Sequence, residues 1–308
     1  MTASSSTRPA IALIYKDIER LRALPVTARQ ALQLLDDPEV SVRRLSEVLS
    51  ADQVIGAQIL RYANSAAYYG AVGPCATIAE GIVRIGLRQL KSLLYGVAAF
   101  GPLTSRLVGY QFNDGELYRH SAAVAGVSRR LAALVGSRDP EEAYAAGLLH
   151  DIGKLVLDRH VRPHYEQIVA EVTQLARNPV AVEERYLGID HATIGGVMAE
   201  RWHYPAALVD AIRCHHAPTL ARSEPRLAAI VHLANMVVLQ SGVGLTPLGI
   251  PPFNMEVMEI LRLSETDLGR LTFEMRPYIA EADQQFKSRY TGVLRPATGT
   301  GLLRRASS

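Results

Sequence analysis

An apolar helical stretch ends in a histidine and an aspartate: Ala146-Gly147-Leu148-Leu149-His150-Asp151-Ile152-Gly153-Lys154-Leu155. The run is apolar enough to be buried. A buried imidazole and a buried carboxylate are costly unless they are paired or bound to a metal ion. Histidine and aspartate together are ligands for zinc, iron and manganese. We therefore expect the pair to be either a hydrogen-bonded helix end or part of a metal centre.

The sequence on both sides of this stretch is helical nearly throughout. In residues 41–49, for example, the apolar side chains recur at the spacing of one helix face. Helix caps are expected at Asp52, Asp190 and Ser264, and Pro140 suits the first turn of a helix. Alternating strand patterns are absent from the sequence. We therefore predict an all-α fold.

The composition is that of an ordinary globular protein, with 308 residues, 48% apolar and 20% charged. The net charge of +3 is small and no arginine stripe occurs, so nucleic-acid binding is not expected. Only two cysteines occur, Cys75 and Cys214, which excludes a disulfide framework and fits a reducing cytoplasm.

Membrane insertion is not expected either. Residues 1–9 are polar and do not resemble a signal peptide. The most apolar run, residues 90–103, carries Lys91 and is interrupted by Gly101-Pro102, so it is too short to span a bilayer. We expect a cytoplasmic protein with no membrane partner.

Further residues that can bind a metal lie on other predicted helices. Glu116 and His120 are four positions apart and so share a helix face. His191 begins one helix, and His215 and His216 end another. Four helices could therefore converge on one centre, as they do in metal sites of helical bundles.

The chemistry of such a centre depends on Asp151 and Lys154. Divalent ions bridged by Asp151 would suit phosphoester hydrolysis, and Lys154, about one helical turn further on, could contact a phosphate. A metal-free hydrogen-bonded cap is the alternative. Single histidines are more often structural, and we assign that role to the following residues: His160, His164, His203 and His232.

The order of these motifs resembles the HD superfamily of metal-dependent phosphohydrolases, and more specifically the HDOD family of bacterial signalling output domains. The resemblance extends from about Leu21 to Gln240. Its hallmarks in this chain are Leu24-Pro25, DDPEVS at 36–41, LRYANS at 60–65, LLHDIGK at 148–154, AERW at 199–202 and His215-His216.

The resemblance implies a multi-helix HD-like bundle with an N-terminal helical subdomain. Residues 11–106 would form the N-terminal helical part, and residues 107–292 the HD-like part. Both ends of the chain are polar or rich in small residues, so we expect disordered tails at 1–10 and 293–308.

The related HD-GYP branch hydrolyses cyclic di-GMP, and the resemblance implies its metal ligands here: Glu116, His120, His150, Asp151, His191, His215 and His216. Lys154 would be the phosphate-side lysine. Two departures weaken the analogy. The Gly-Tyr-Pro segment is missing after His216, and the final aspartate of the HD pattern corresponds to Asn235. A neutral asparagine is a poorer ligand for a divalent ion.

Three functions follow from the resemblance. HDOD domains are generally regarded as non-catalytic, so the first is a regulatory protein that binds a protein partner in a signalling pathway. The alternative is a metal-dependent phosphohydrolase that acts on a nucleotide or a cyclic dinucleotide. A third hypothesis joins the two: a pocket that senses a nucleotide without hydrolysing it. The implied cofactor is a divalent iron, manganese or zinc ion.

Overall fold

The structure is a computed structural model, and it describes residues 7–20, 24–65, 68, 73–244 and 249–290. The described residues form helices and connecting turns, with no strand among them beyond an isolated bridge between Leu107 and Phe112. The all-α prediction is confirmed. Within these residues, no helix combines the length and apolar character needed to cross a membrane.

The helices that precede the site are α1 Thr7–Arg20, α2 Val26–Leu34, α3 Val42–Leu49, α4 Gln53–Ala63, α5 Ile78–Ile85 and α6 Leu87–Leu103. The helices that build the site and its surroundings are α7 Glu116–Leu134, α8 Pro140–Leu149, α9 Lys154–Val161, α10 Tyr165–Gln174, α11 Pro179–Leu187, α12 His191–Arg201, α13 Ala206–Cys214 and α14 Pro225–Gln240. Two more helices follow, α15 Glu256–Leu261 and α16 Glu265–Tyr290.

The predicted caps form as expected. Asp52 accepts from the backbone N–H of Val54 at 2.9 Å, and Asp190 accepts from Thr193 at 2.9 Å. Ser264 Oγ accepts from the N–H of Asp267. Each of these side chains satisfies a backbone donor that a helix start leaves unpaired, so the local sequence fixes where these helices begin.

The N-terminal tail prediction needs a correction. The sequence predicts a disordered tail that includes residues 7–10, but α1 begins at Thr7 and so includes them. Ile14 and Ile18 of α1 are buried, and α1 packs against α9 and α11. The packing of the apolar face that carries Ile14 and Ile18 stabilises α1, although the polar residues at its start do not indicate a helix. The remaining tail residues, 1–6 and 293–308, lie outside the described residues.

The core is built around α14, which is buried along most of its length and packs against α7, α8, α13 and α15. Helices α7 and α8 form the most extensive helix pair. Gly147 of α8 makes this close approach possible, because a Cβ there would lie 2.8 Å from Ala125 Cα of α7. These contacts place the end of α8 in the interior.

Candidate metal centre

The site lies where the ends of α8 and α13 meet the start of α12 and the inner face of α7. His120 comes from α7, His150 and Asp151 follow α8, and His191 begins α12. His215 and His216 follow α13. The structure therefore brings together the five histidines and the aspartate that the sequence predicted.

Glycine at position 153 is required for this convergence. An added Cβ on Gly153 would lie 1.9 Å from the carbonyl oxygen of His191 and 2.7 Å from the backbone nitrogen of Gly195. Because neither backbone atom can move aside cheaply, only glycine allows the turn after α8 to contact α12. The turn thereby sets Asp151 against His191.

Asp151 is the centre of the cluster, with histidines on both carboxylate oxygens. Oδ2 lies 3.3 Å from His150 Nε2 and 3.6 Å from His120 Nε2. Oδ1 lies 3.2 Å from His191 Nε2 and 3.9 Å from His215 Nε2. His216 Nε2 is 3.0 Å from His191 Nε2. Two groups suited to a metal ion result: His120, His150 and Asp151, and His191, His215 and His216.

Backbone carbonyls hold three of the rings in one orientation. Nδ1 of His150 lies 2.8 Å from the oxygen of Gly147, and Nδ1 of His215 lies 2.8 Å from that of Ile212. Nδ1 of His120 contacts the oxygen of Val243 at 3.1 Å. A carbonyl only accepts, so each Nδ1 carries a proton, and Nε2 is the ring nitrogen that faces the cluster. This is the orientation that metal binding through Nε2 requires.

Several inward-facing atoms have no hydrogen-bond partner in the part of the chain that the structure describes: His150 Nε2, Asp151 Oδ1, His215 Nε2 and Asn235 Oδ1. Their residues are 5% exposed or less. Buried acceptors without donors are costly unless something else satisfies them. A set of imidazole nitrogens and carboxylate oxygens suits divalent iron, manganese or zinc. The residues present therefore fit the divalent metal ion that the resemblance to the HD superfamily implies.

Burial and neighbouring charges shift the pKa values of the site. Burial and the adjacent His150 lower the pKa of His120 to about 3. Burial and neighbouring histidines hold the pKa values of His215 and His216 well below the ordinary range. Burial alone would raise the pKa of Asp151, but His150 and Lys154 keep it far below its usual value. Most of the cluster is thus in the protonation state of a ligand.

His191 differs because a carboxylate lies behind it. Glu183 Oε2 is 2.7 Å from His191 Nδ1 and accepts the backbone N–H of His191 at 2.6 Å. Burial would lower the pKa of His191, but Glu183 raises it to about 9. The Tyr110 hydroxyl donates to the other oxygen of Glu183. Such a carboxylate orients a metal-binding histidine and increases its basicity.

Sequence reasoning missed Glu183 and Tyr110. Glu183 is 5% exposed in α11, four residues before the buried Leu187. A charged residue on the apolar face of a helix is the pattern that could have pointed to it. The sequence gives no indication of its partner, because Glu183 and His191 lie on two different helices, α11 and α12.

Lys154 occupies the predicted place. Its Nζ lies 2.7 Å from Asp151 Oδ2 and about 5.7 Å from the centre of the Tyr110 ring. It lines a cavity whose remaining walls are mainly apolar or aromatic, including Phe112, and whose other polar lining residues are His120, Glu183, His191, His216 and Asn235. Through this cavity, a ligand can reach the polar cluster.

Two predicted ligands differ from the rest. Glu116 is not in either group of the described residues, because its carboxylate folds back to accept from the N–H of Asn113 at 2.7 Å. It therefore closes the turn that precedes α7. Asn235 does line the cavity, with its unpaired Oδ1 buried. His232 supports His215, since its Nδ1 lies 2.7 Å from the His215 carbonyl oxygen.

The sequence matches the model of a known protein family. Residues 21–218 match the family model of the HDOD domain. An HDOD domain protein of unknown function from Geobacter sulfurreducens has a similar fold, with a TM-score of 0.71 and 23% identity over 91% of this chain and 98% of that one.

Two curated relatives share parts of the sequence. An uncharacterised protein of Treponema pallidum is 27% identical over 241 residues, which is 76% of this chain and 45% of the relative. Ribonuclease Y of Clostridium perfringens is 31% identical over 128 residues, which is 40% of this chain and 20% of that enzyme. This chain therefore spans less than half the length of these relatives.

Proposed function

Because this chain belongs to the HDOD domain family, we propose that it is a bacterial signal-transduction output protein that acts by binding rather than by catalysis. Its HD-like part, residues 107–292, holds a divalent metal ion and recognises a phosphate-bearing ligand such as a nucleotide. The protein with its ligand bound then acts on a protein partner in a signalling pathway.

A single observation carries this proposal: the buried ring nitrogens on both sides of Asp151 that have no hydrogen-bond partner among the described residues. His150 Nε2 and His215 Nε2 face the carboxylate with no donor among the described residues. If the cluster were only a hydrogen-bonded helix end, these nitrogens would be expected to have partners. The arrangement therefore supports a metal ion at Asp151.

The cavity beside the cluster supports a phosphate-bearing ligand. A divalent ion there would polarise a phosphoryl oxygen and offset its negative charge. Lys154 is only 17% exposed along its side chain and lies next to Asp151, so it adds a cation at the mouth of the cluster. We assign the base of the nucleotide to the apolar side chains of the same cavity, which include Phe112 and Ile168.

Asn235 favours binding over turnover. It lies at the position of the final aspartate of the HD pattern, and its neutral amide oxygen offers less charge to an ion than a carboxylate. The Gly-Tyr-Pro segment of the hydrolytic branch is also missing after His216. Both features weaken a hydrolytic centre while leaving a binding site.

The second candidate is a metal-dependent phosphohydrolase that acts on a nucleotide or a cyclic dinucleotide. It is favoured by Asp151, whose two oxygens face different groups of histidines and could bridge two ions. Ribonuclease Y, which is similar over 128 residues, is by its name a nuclease. The shared segment makes phosphodiester chemistry a reasonable alternative for this chain.

Equilibrium binding and product analysis separate the two candidates. Protein reconstituted with iron, manganese or zinc is mixed with a panel of mononucleotides and cyclic dinucleotides, with and without a chelator. We expect chelator-sensitive binding without product, and weaker binding by Lys154→Ala. Product formed by the wild type and abolished in His150→Ala would instead establish the hydrolase. No metal-dependent binding of any ligand would refute both.

A further inference from the structure

A short turn lies between the N-terminal helices and the helices of the metal centre. It covers residues 107–112, between α6 and α7, and we call it the connector turn. The N–H of Leu107 donates to the oxygen of Phe112 at 3.0 Å, and the N–H of Phe112 donates to the oxygen of Leu107 at 2.9 Å. Both side chains are buried. The turn is therefore a defined element of the fold with its two ends joined.

Asp158 of α9 binds the backbone of the connector turn. Its Oδ1 accepts the N–H of Gly109 at 2.7 Å and the N–H of Tyr110 at 3.2 Å. The turn also lies directly on the backbone of α9, since an added Cβ on Gly109 would lie 1.9 Å from the carbonyl oxygen of Asp158. Hydrogen bonds to a charged acceptor are among the stronger ones. One carboxylate oxygen therefore fixes two consecutive residues of the turn against α9.

One residue of the connector turn has a backbone conformation that needs support from its surroundings. Gln111 has a φ of 58°, in the left-handed region that residues other than glycine rarely adopt. Its side-chain Nε2 donates to the oxygen of Val108 at 3.1 Å within the turn. Such conformations persist only where neighbouring contacts hold them, and they cluster at functional sites. Asp158 supplies such contacts from outside the turn.

The connector turn directs the Tyr110 side chain toward the metal centre. Tyr110 is 2% exposed, and its hydroxyl donates to Oε1 of Glu183. Burial and the adjacent Glu183 raise the pKa of Tyr110 well above its ordinary value, so the hydroxyl keeps the proton that it donates. The other oxygen of Glu183 accepts the backbone N–H of His191 and lies 2.7 Å from its Nδ1. A continuous series of contacts therefore joins Asp158 to a candidate metal ligand.

We propose that Asp158 is a positioning residue of the metal centre. It fixes the connector turn, the turn places the Tyr110 hydroxyl on Glu183, and Glu183 holds the ring of His191. Among the described residues, Asp158 belongs to neither group of candidate ligands and does not line the cavity of the metal centre. Its effect on the metal is therefore indirect. The inference rests on the proposed function above, because it requires a metal ion bound at His191.

Metal affinity of the full chain, measured by competition with a chromogenic chelator, tests the proposal. Asp158→Ala removes the acceptor, and Tyr110→Phe removes only the hydroxyl. Each should weaken metal binding by about threefold or more. Asp158→Asn keeps an oxygen that accepts the same two N–H groups, so its affinity should stay within about twofold of the wild type. Asp114→Ala is the matched control, because Asp114 is an exposed aspartate between the turn and α7, and it should bind metal like the wild type.

The double variant distinguishes positioning from a general loss of structure. If Asp158 acts through the Tyr110 hydroxyl, Asp158→Ala should not weaken metal binding further in the Tyr110→Phe background, because residues that act through one another are not additive. Additive effects would overturn the proposal, and so would wild-type affinity in either single variant.

Two further outcomes are covered. If Asp158→Ala does not fold, Asp158→Glu, which displaces the carboxylate by one methylene, takes its place with the same expectation. A wild type that binds no metal would refute the proposed function and this inference with it. A wild type that binds metal with an affinity independent of Asp158 and Tyr110 would refute this inference alone.

Discussion

Glu183 holds His191 from behind: Oε2 of Glu183 lies 2.7 Å from Nδ1 of His191, while the other ring nitrogen faces Asp151 Oδ1 at 3.2 Å. The carboxylate fixes the ring and directs its second nitrogen to the cluster. Tyr110 donates to the remaining oxygen of Glu183 and so fixes the carboxylate in turn. This chain of contacts supports one half of the metal centre.

Replacing Glu183 by glutamine should weaken metal binding without removing a ligand. The loss of a carboxylate behind a metal-binding histidine typically costs about 10–100-fold in affinity. Metal affinity is measured by competition with a chromogenic chelator. Glu184→Gln is the control, because Glu184 is exposed on the same helix. Equal affinities in both variants and wild type would show that Glu183 only packs.

Replacing Asn235 by aspartate should strengthen metal binding. The substitution turns a buried neutral oxygen, which has no partner among the described residues, into an anionic one. Because affinity rises with the charge of the ligands, we expect an increase of about tenfold or more. The same competition assay measures it, with Asn235→Ala as the comparison. If the Asn235→Asp protein has the same metal affinity as the wild type, residue 235 does not contact the metal ion.

Gly153→Ala should destabilise the fold at the site. Its Cβ would lie 1.9 Å from the His191 carbonyl oxygen, so the turn after α8 has to move. Overpacking of this kind costs about 1–3 kcal/mol, measured by urea denaturation. Gly126→Ala in α7 is the control, because its Cβ meets nothing within 4 Å. A Gly153→Ala protein as stable as Gly126→Ala would contradict the close contact.

The metal-free protein should lose stability in acid. The pKa of His120 falls from 6.5 to about 3 on folding, and those of His215 and His216 are also lowered. Below pH 6.5 the unfolded chain therefore takes up protons that the folded chain does not. The free energy of unfolding should fall by at most about 1.4 kcal/mol per histidine for each pH unit.

His191 has the opposite effect at alkaline pH. Its pKa is raised to about 9, so its contribution is fully present below 6.5 and is lost as the pH rises through 9. We expect maximal stability near neutral pH in urea denaturation of the chelated protein. A free energy of unfolding that does not change on acidification from neutral pH would contradict the predicted burial of neutral histidines.

The sequence predicted the parts of this structure that depend on local patterns. Apolar spacing predicted the helices, and Asp52, Asp190 and Ser264 cap them as expected. The motif order, through its resemblance to the HD superfamily, also predicted which histidines lie around Asp151. Local composition failed at residues 7–10, because α1 as a whole packs against α9 and α11 through side chains further along it, such as Ile14 and Ile18.

The parts that the sequence did not reveal depend on contacts between distant residues. Nothing near Glu183 indicates that α11 places it behind His191. Glu116 has the spacing of a ligand relative to His120, yet its carboxylate accepts a local backbone N–H instead. A four-residue spacing places two side chains on one helix face, but it does not decide which contact each one makes.

Elemental analysis tests the central claim most directly. Wild-type protein and the His150→Ala/Asp151→Ala variant are purified without an affinity metal column, reconstituted under reducing conditions and analysed for iron, manganese and zinc. We predict near-stoichiometric metal in the wild type and none in the variant. A folded wild type that holds no more metal than the variant would contradict the existence of a metal centre at Asp151.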